Sequence, residues 1–331
     1  MSLRRTCIVG AGAIGGWMGA HLAAQGQALS VLARGATLAA LRSQGLRLVS
    51  GPDAAPVLAP QPVHASDRAD DLGEQDLVVI AVKGPALAAV AQQVGPLIGP
   101  QTVILTAMNG VPWWFLQGFG GDLAGTRLRA IDPDGALQRL LPATQVMGCV
   151  VHASCSVDAP GVVRHHFGQG LIIGEPAGGH TARSDALGQL LSSAGFATTV
   201  STQIQKDIWY KLWGNMTVNP VSALTGATTD LILGDPLVRD FISQIMLEAK
   251  AIGARLGITI DQMPEDRHAV TLKLGAFKTS MLQDIEAQRP VELDALVTAV
   301  QELGQLTGVP TPATNTLLGL ARLQARVRGL Y

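Results

Sequence analysis

Residues 8–16 read IVGAGAIGG, and this stretch decides how the first half of the chain is built. Gly10, Gly12 and Gly15 stand in G-x-G-x-x-G spacing, behind a short apolar run and ahead of a helix-forming one, with Ala13 and Ile14 between the second and third glycines. The first glycine permits a tight turn, the second lets backbone approach a pyrophosphate, and the third lets helix and strand pack closely. A glycine-rich turn that merely packs a helix on a sheet would not account for all three spacings. The pattern points to a dinucleotide with Gly10, Gly12, Ala13, Ile14 and Gly15 around its phosphates.

The segments that follow agree with this reading. ALSVLAR, DLVVIAVK and TVILTAMNG are strand-like runs, the last two separated by the helix-like PALAAVAQQVGPLI. The unbroken apolar run at 78–82 suits a strand covered on both faces, as in a parallel sheet. The expected class is α/β, with a Rossmann-type, doubly wound N-terminal domain over residues 1–200. QVMGCVVHASCSV, GVVRHHF and GLIIGEP read as three short antiparallel strands closing that sheet. Residues 201–331 carry helical periodicity throughout and are expected to form an all-helical substrate and catalytic domain packed on the first across a cleft. Proline near helix starts and glycine after helix ends place helices at 203–216, 236–257, 264–288, 291–307 and 312–328.

The totals narrow the partners. A chain of 331 residues with 47% hydrophobic and 15% charged residues can fill two cores. A formal net charge of −1, without a run of Lys or Arg, argues against nucleic acid or an anionic membrane and leaves a small molecule. Cys7, Cys149 and Cys155 lack CxxC spacing and His partners, so they read as reduced thiols, with no disulfide framework and no zinc. His165 and His166 are neighbours on a strand and face opposite sides, and DPDG at 132–135 lacks the spacing of a calcium loop. No metal is expected. Arg4 and Arg5 before CIVGAGAIGGWMGAHLAA imitate a secretory signal, yet five glycines suit a signal helix poorly. No window reaches the ~18 consecutive apolar residues of a spanning helix, so the cytoplasm is the default expectation.

An NAD-preferring site ends its second strand with an acidic residue, whereas SVLARG ends at Arg34. A guanidinium there can pair with a 2′-phosphate, so the expected cofactor is NADP(H); the plainer reading is a solvated arginine. Lys83 and Asn109 follow the next two strands at their carboxyl ends, the edge that faces the ligand crevice in open α/β sheets, though any polar residue can terminate a strand. In IWYKLWGNMTVNP, residues 208–220, Lys211, Asn215 and Asn219 recur every four positions. Each step drifts by only ~40° around a helix, so one ammonium and two carboxamides share a narrow arc while Trp209 and Trp213 point roughly the other way. Such a helix is built to hold something polar.

Taken with GAGAIG, Lys83 and the Asn109-Gly110 pair, the stretches WYKLWGNMTVNP and KTSMLQDIEAQRPVELD make the chain resemble the ketopantoate reductase family over nearly its whole length. The resemblance implies NADPH-dependent reduction of 2-dehydropantoate to D-pantoate, a 2-keto acid reaction of pantothenate biosynthesis. It implies Lys211 as the catalytic lysine, Glu292 as its acidic partner, and Asn109, Asn215, Asn219 and Ser280 as groups around the substrate. Independently, hydride delivery to a carbonyl builds negative charge on oxygen, which a positioned ammonium can stabilise and protonate. Ser280 could equally pack in a helix, and Glu292, just after Pro290, would be favoured at a helix start by the macrodipole alone. Two features depart from the family pattern. Phe277 stands where some members carry a polar residue, and the long segment behind Asn109 carries Trp113, Trp114, Phe115 and Phe119, suited to a cleft wall, a lid or an oligomer contact. The competing readings are a paralogue reducing another 2-keto acid and a non-catalytic NADP(H)-binding sensor. The apolar content of the helical domain would permit a homodimer.

Overall fold

The computed structural model describes residues 3–273 and 275–331, which separate into two compact units: Met1–Met108 with Ala136–Ile204, and Asn109–Gly135 with Gln205–Tyr331. The sequence reading drew one boundary near residue 200; the segment 109–135 in fact belongs with the helices.

The first unit runs β1 (Arg5–Val9), α1 (Ala13–Ala24), β2 (Ala28–Leu32), α2 (Gly35–Gln44), β3 (Arg47–Ser50), β4 (Ala55–Pro56), β5 (His64–Ser66), β6 (Gln75–Ile80), α3 (Leu87–Ala91), β7 (Ile98–Thr106), α4 (Ala136–Leu140), β8 (Val146–Ala159), β9 (Val162–Gly174), α5 (Ala182–Ser193) and β10 (Ala197–Ser201). One mixed sheet takes the order β4-β3-β9-β8-β7-β6-β1-β2-β5, with β10 also on β9. Its centre is parallel: Val9 pairs with Leu32 and with Ile80, and Ile80 with Thr106. Ile8, Val78, Val79, Ile80 and Leu105 are fully buried, each contributing about 1.5–3 kcal/mol of apolar burial. The β-branched runs form strands because both faces are covered.

The sheet closes differently from expectation. GVVRHHF and GLIIGEP form one strand, β9, in a long antiparallel hairpin with β8, because Gly168 takes up an irregular register inside the strand instead of ending it. Parallel β10 and the helix α5, opened by a Thr181–Ser184 capping box, lie in a stretch to which the sequence reading assigned no element. His165 stacks on Trp17 with ring centroids 5.9 Å apart, while the His166 ring meets Ser156. Burial pushes the Cys7 thiol up to about 12, and no disulfide joins any of Cys7, Cys149 and Cys155.

The second unit runs α6 (Ile204–Thr225), α7 (Thr229–Gly234), α8 (Pro236–Arg255), α9 (Pro264–Leu272), α10 (Ser280–Glu286), a π-turn (Asp294–Thr298), α11 (Ala299–Thr307) and α12 (Pro312–Val327). Two expected helices are corrected. The first does not stop near Met216: α6 continues through Pro220 to Thr225. The proline has no N–H for the Met216 carbonyl, but burial of Val218, Val221 and Ala223 outweighs that loss. The helix expected at 264–288 is broken, since Gly275 takes a positive φ of 64° and the Thr279 hydroxyl caps α10 by accepting from the Leu282 N–H. Leu274, within that expected helix, lies outside the described residues.

Trp209 and Trp213 anchor α6 on α8, their indole N–H groups donating to the carbonyls of Ala249 and Met246. The aromatic segment after Asn109 is neither lid nor outer face. Trp113, Trp114 and Phe115 are buried, Phe115 packs on Trp209, and its carbonyl accepts from Gln205 Nε2. No helix among the described residues is long and apolar enough to cross a membrane.

Candidate functional site

In the first unit the glycine turn behaves as its spacing requires. Gly10 has φ 93°, and a Cβ on Gly15 would lie 2.1 Å from the Gly10 carbonyl oxygen, so the β1-to-α1 crossing admits no side chain there. A Cβ on Gly12 would meet no protein atom within 4 Å. Gly12 starts α1 without a side-chain cap, and the first turn, which holds Ala13 and Ile14, carries no acidic residue. That helix end presents N–H groups and the positive end of its dipole, a combination suited to an anionic phosphate. Arg34 caps the start of α2 two residues beyond β2; it is exposed, and its guanidinium makes no hydrogen bond or ion pair with a described residue. Lys83 lies three residues beyond β6, half-buried at the start of a 3₁₀ turn.

In the second unit Lys211 is half-buried on α6, and its Nζ donates to Asn109 Oδ1 at 2.9 Å. Two residues 102 apart in sequence are thus joined by a charge-assisted bond that holds the ammonium in one place. Asn215 and Asn219 continue the row. Asn219 is only 7% exposed, yet neither carboxamide hydrogen-bonds to a described residue. A carboxamide without a protein partner has both its N–H donors and its carbonyl oxygen open to a ligand. Ser280 is exposed at the first position of α10, its hydroxyl likewise uncommitted. Thr279 beside it is buried and serves as the cap.

Glu292 immediately precedes the helical turn that leads into α11, its carbonyl accepting from Leu296. The residues bracketing it are strapped by a segment that sequence reasoning missed. The Val291 N–H donates to the Leu330 carbonyl at 3.1 Å, and the Tyr331 hydroxyl donates to Asp294 Oδ1 at 2.7 Å. Burial, then the Asp294 carboxylate, raises the Tyr331 pKa. The π-turn itself orients Asn109: the Val111 N–H donates to the Ala295 carbonyl at 2.8 Å, and Gly110, with φ 84°, approaches so closely that a Cβ would lie 2.5 Å from that oxygen. The only sequence trace of this contact is the glycine after Asn109. Single π-turns inserted into helices often accompany functional sites. Lys211, Asn109, Asn215, Asn219, Ser280 and Glu292 all belong to the second unit, and the hydrogen bond from Lys211 to Asn109 joins two of them.

The family model described as Ketopantoate reductase PanE/ApbA matches residues 6–178, and that described as Ketopantoate reductase PanE/ApbA C terminal matches 203–325. A 2-dehydropantoate 2-reductase of Mesorhizobium japonicum is 45% identical over 98% of both chains. Among solved structures, a candidate ketopantoate reductase from Ralstonia solanacearum MolK2 superposes with a TM-score of 0.95 at 56% identity, covering 100% of both chains. A 2-dehydropantoate 2-reductase from Geobacter metallireducens GS-15 gives 0.84 at 27%, covering 97% of this chain and 99% of its own. With both halves matched in order and a relative this similar over its full length, the chain belongs to the ketopantoate reductase PanE/ApbA family of oxidoreductases.

Proposed function

We propose that this chain reduces 2-dehydropantoate to D-pantoate with NADPH, a step of pantothenate biosynthesis. The observation that carries the reading is the 2.9 Å bond from Lys211 Nζ to Asn109 Oδ1, set beside two uncommitted carboxamides on the same helix. NADPH, when bound, supplies the hydride that forms the new C–H bond at the substrate's C2. As the C=O π electrons move onto oxygen, the Lys211 ammonium stabilises the growing negative charge and gives that oxygen a proton, leaving a neutral amine that solvent reprotonates. Asn109 holds the ammonium, Asn215, Asn219 and Ser280 orient the substrate's oxygens, and Glu292 serves as the acidic partner that keeps Lys211 charged. For the cofactor, the uncapped start of α1 with Gly10, Gly12, Ala13, Ile14 and Gly15 would take the pyrophosphate, Arg34 the 2′-phosphate, and Lys83 with Asn109 would flank the remaining length.

The test is loss of reduced-nicotinamide absorbance with NADPH and 2-dehydropantoate, beside pyruvate and 2-ketoisovalerate. Turnover confined to 2-dehydropantoate supports the reading. Turnover with another keto acid only would reassign the substrate, and tight NADPH binding without turnover on any of them would point to a sensor.

A further inference from the structure

Ser280 opens α10 at the end of a loop, 275–279, whose backbone is held from a distant part of the chain. Thr229, the first residue of α7, is 2% exposed and directs both its donors at that loop. Its hydroxyl donates to the Gly275 carbonyl at 2.7 Å, across 46 positions of sequence, and its N–H donates to the Phe277 carbonyl at 3.0 Å. The Phe277 N–H turns back on the Gly275 carbonyl at 2.8 Å, a tight three-residue turn that follows directly on the positive φ of Gly275. Further on, Gln283 Nε2 donates to the Lys278 carbonyl at 3.0 Å, and the Thr279 hydroxyl caps α10 by accepting from Leu282. The bonds at Lys278 and Thr279 are local to α10, whereas those from Thr229 tie the loop to another element. α10 has seven residues, below the ~12–15 at which a helix is stable alone. Burial of Met281, Leu282 and Ile285 holds its inner face, and Ser280, exposed at its head, takes its place from the loop.

We infer that Thr229 is a positioning residue for substrate binding: it fixes this loop so that the Ser280 hydroxyl meets the keto acid. The inference rests on the proposed function, in which Ser280 orients a substrate oxygen. Thr229 itself touches neither substrate nor cofactor in this scheme. A hydroxyl bonds only within a narrow range of distance and direction, so a shift of ~1 Å at the head of α10 removes the contact. Threonine suits the task because one buried residue supplies both donors, and its β-branch restricts χ1, which sets the hydroxyl relative to α7.

Thr229→Val keeps the shape and the N–H and removes the hydroxyl, while Thr229→Ser keeps both donors. Thr229→Val is expected to raise KM for 2-dehydropantoate by about fivefold, with kcat and the KM for NADPH within about twofold of wild type. Thr229→Ser should stay near wild type. In a Ser280→Ala background the same valine should add nothing, because the hydroxyl that Thr229 positions is gone. An added loss as large as that in the wild-type background, or an unchanged KM for the keto acid, would overturn the inference. Trypsin digestion of the folded protein without ligands separates the inference from the function it rests on. Lys273 and Lys278 are exposed on either side of the held carbonyls, so cleavage after them, mapped by mass spectrometry, reads the opening of the loop. That cleavage should quicken by about fivefold in Thr229→Val, with cleavage elsewhere unchanged. If wild type reduces no keto acid yet the valine variant is cut faster at these two lysines, the substrate reading fails and the tie from Thr229 stands. Equal cleavage in wild type and the valine variant removes the tie and the inference with it.

Discussion

On the proposed function, the glycine turn of the first unit and the polar row of the second solve the same problem, presenting donors to an anionic or polar ligand, by opposite means. The turn uses backbone: Gly10, Gly12 and Gly15 lie within six consecutive residues, and the donors are the N–H groups of a helix start. The polar row uses side chains gathered from far apart, Asn109 beside Lys211 and Gly110 seated on Ala295. A backbone site is robust to side-chain change but intolerant of any added Cβ. A side-chain site should lose function one group at a time while the fold persists.

The largest expected effect breaks the second site alone. Lys211→Ala should lower kcat by about 10²–10⁴-fold while NADPH binding, followed by fluorescence titration, stays within twofold of wild type, or about 0.4 kcal/mol. Near-normal turnover would remove Lys211 from the chemistry. The converse comes next. Gly15→Ala puts a methyl against the Gly10 carbonyl and forces roughly 1–3 kcal/mol of backbone strain, weakening NADPH binding by about five- to 150-fold. Unchanged NADPH affinity would refute the tight crossing as a requirement for the cofactor.

Arg34→Asp sharpens the comparison within the first unit, where one side chain is expected to matter. The KM for NADPH should rise by about tenfold or more and that for NADH hardly change, since a carboxylate repels only the extra phosphate. Equal changes for the two cofactors would make Arg34 a surface residue. Asn219→Ala should separate two quantities. Removing an amide that bonds to no described residue should leave the melting temperature level, whereas KM for the keto acid should rise by about fivefold. A fall in both stability and substrate affinity would mark Asn219 as structural. The smallest effect is expected at the strap. Tyr331→Phe removes one hydrogen bond to Asp294, worth about 1 kcal/mol, and should lower kcat two- to fivefold with NADPH binding intact. No change in kcat would show that Glu292 is held without it.

Local chemistry made much of this molecule readable. Apolar β-branched runs announced the parallel strands, proline announced the start of α8, and four-residue spacing placed Lys211, Asn215 and Asn219 on one arc. The failures have a common cause. Pro220 and Gly168 are local breakers that tertiary burial and sheet pairing overrode, and Gly275 is one whose signal was outweighed by the helical periodicity around it. The segment 109–135 looked like a connector because its aromatics have no period, yet Trp113, Trp114 and Phe115 fill the core of the helical unit.

By itself, then, the order of residues determined the α/β class of the first unit, the glycine turn and the polar arc, since each depends on interactions a few residues long. Tertiary structure alone decided that Asn109 receives the Lys211 ammonium, that the carbonyl of Ala295 fixes Gly110, that Leu330 and Tyr331 bond to Val291 and Asp294 on either side of Glu292, and that Arg267 lies against Gly214. Those contacts join residues tens to hundreds of positions apart. No local preference encodes them, because their energy appears only once packing has closed the loops between them.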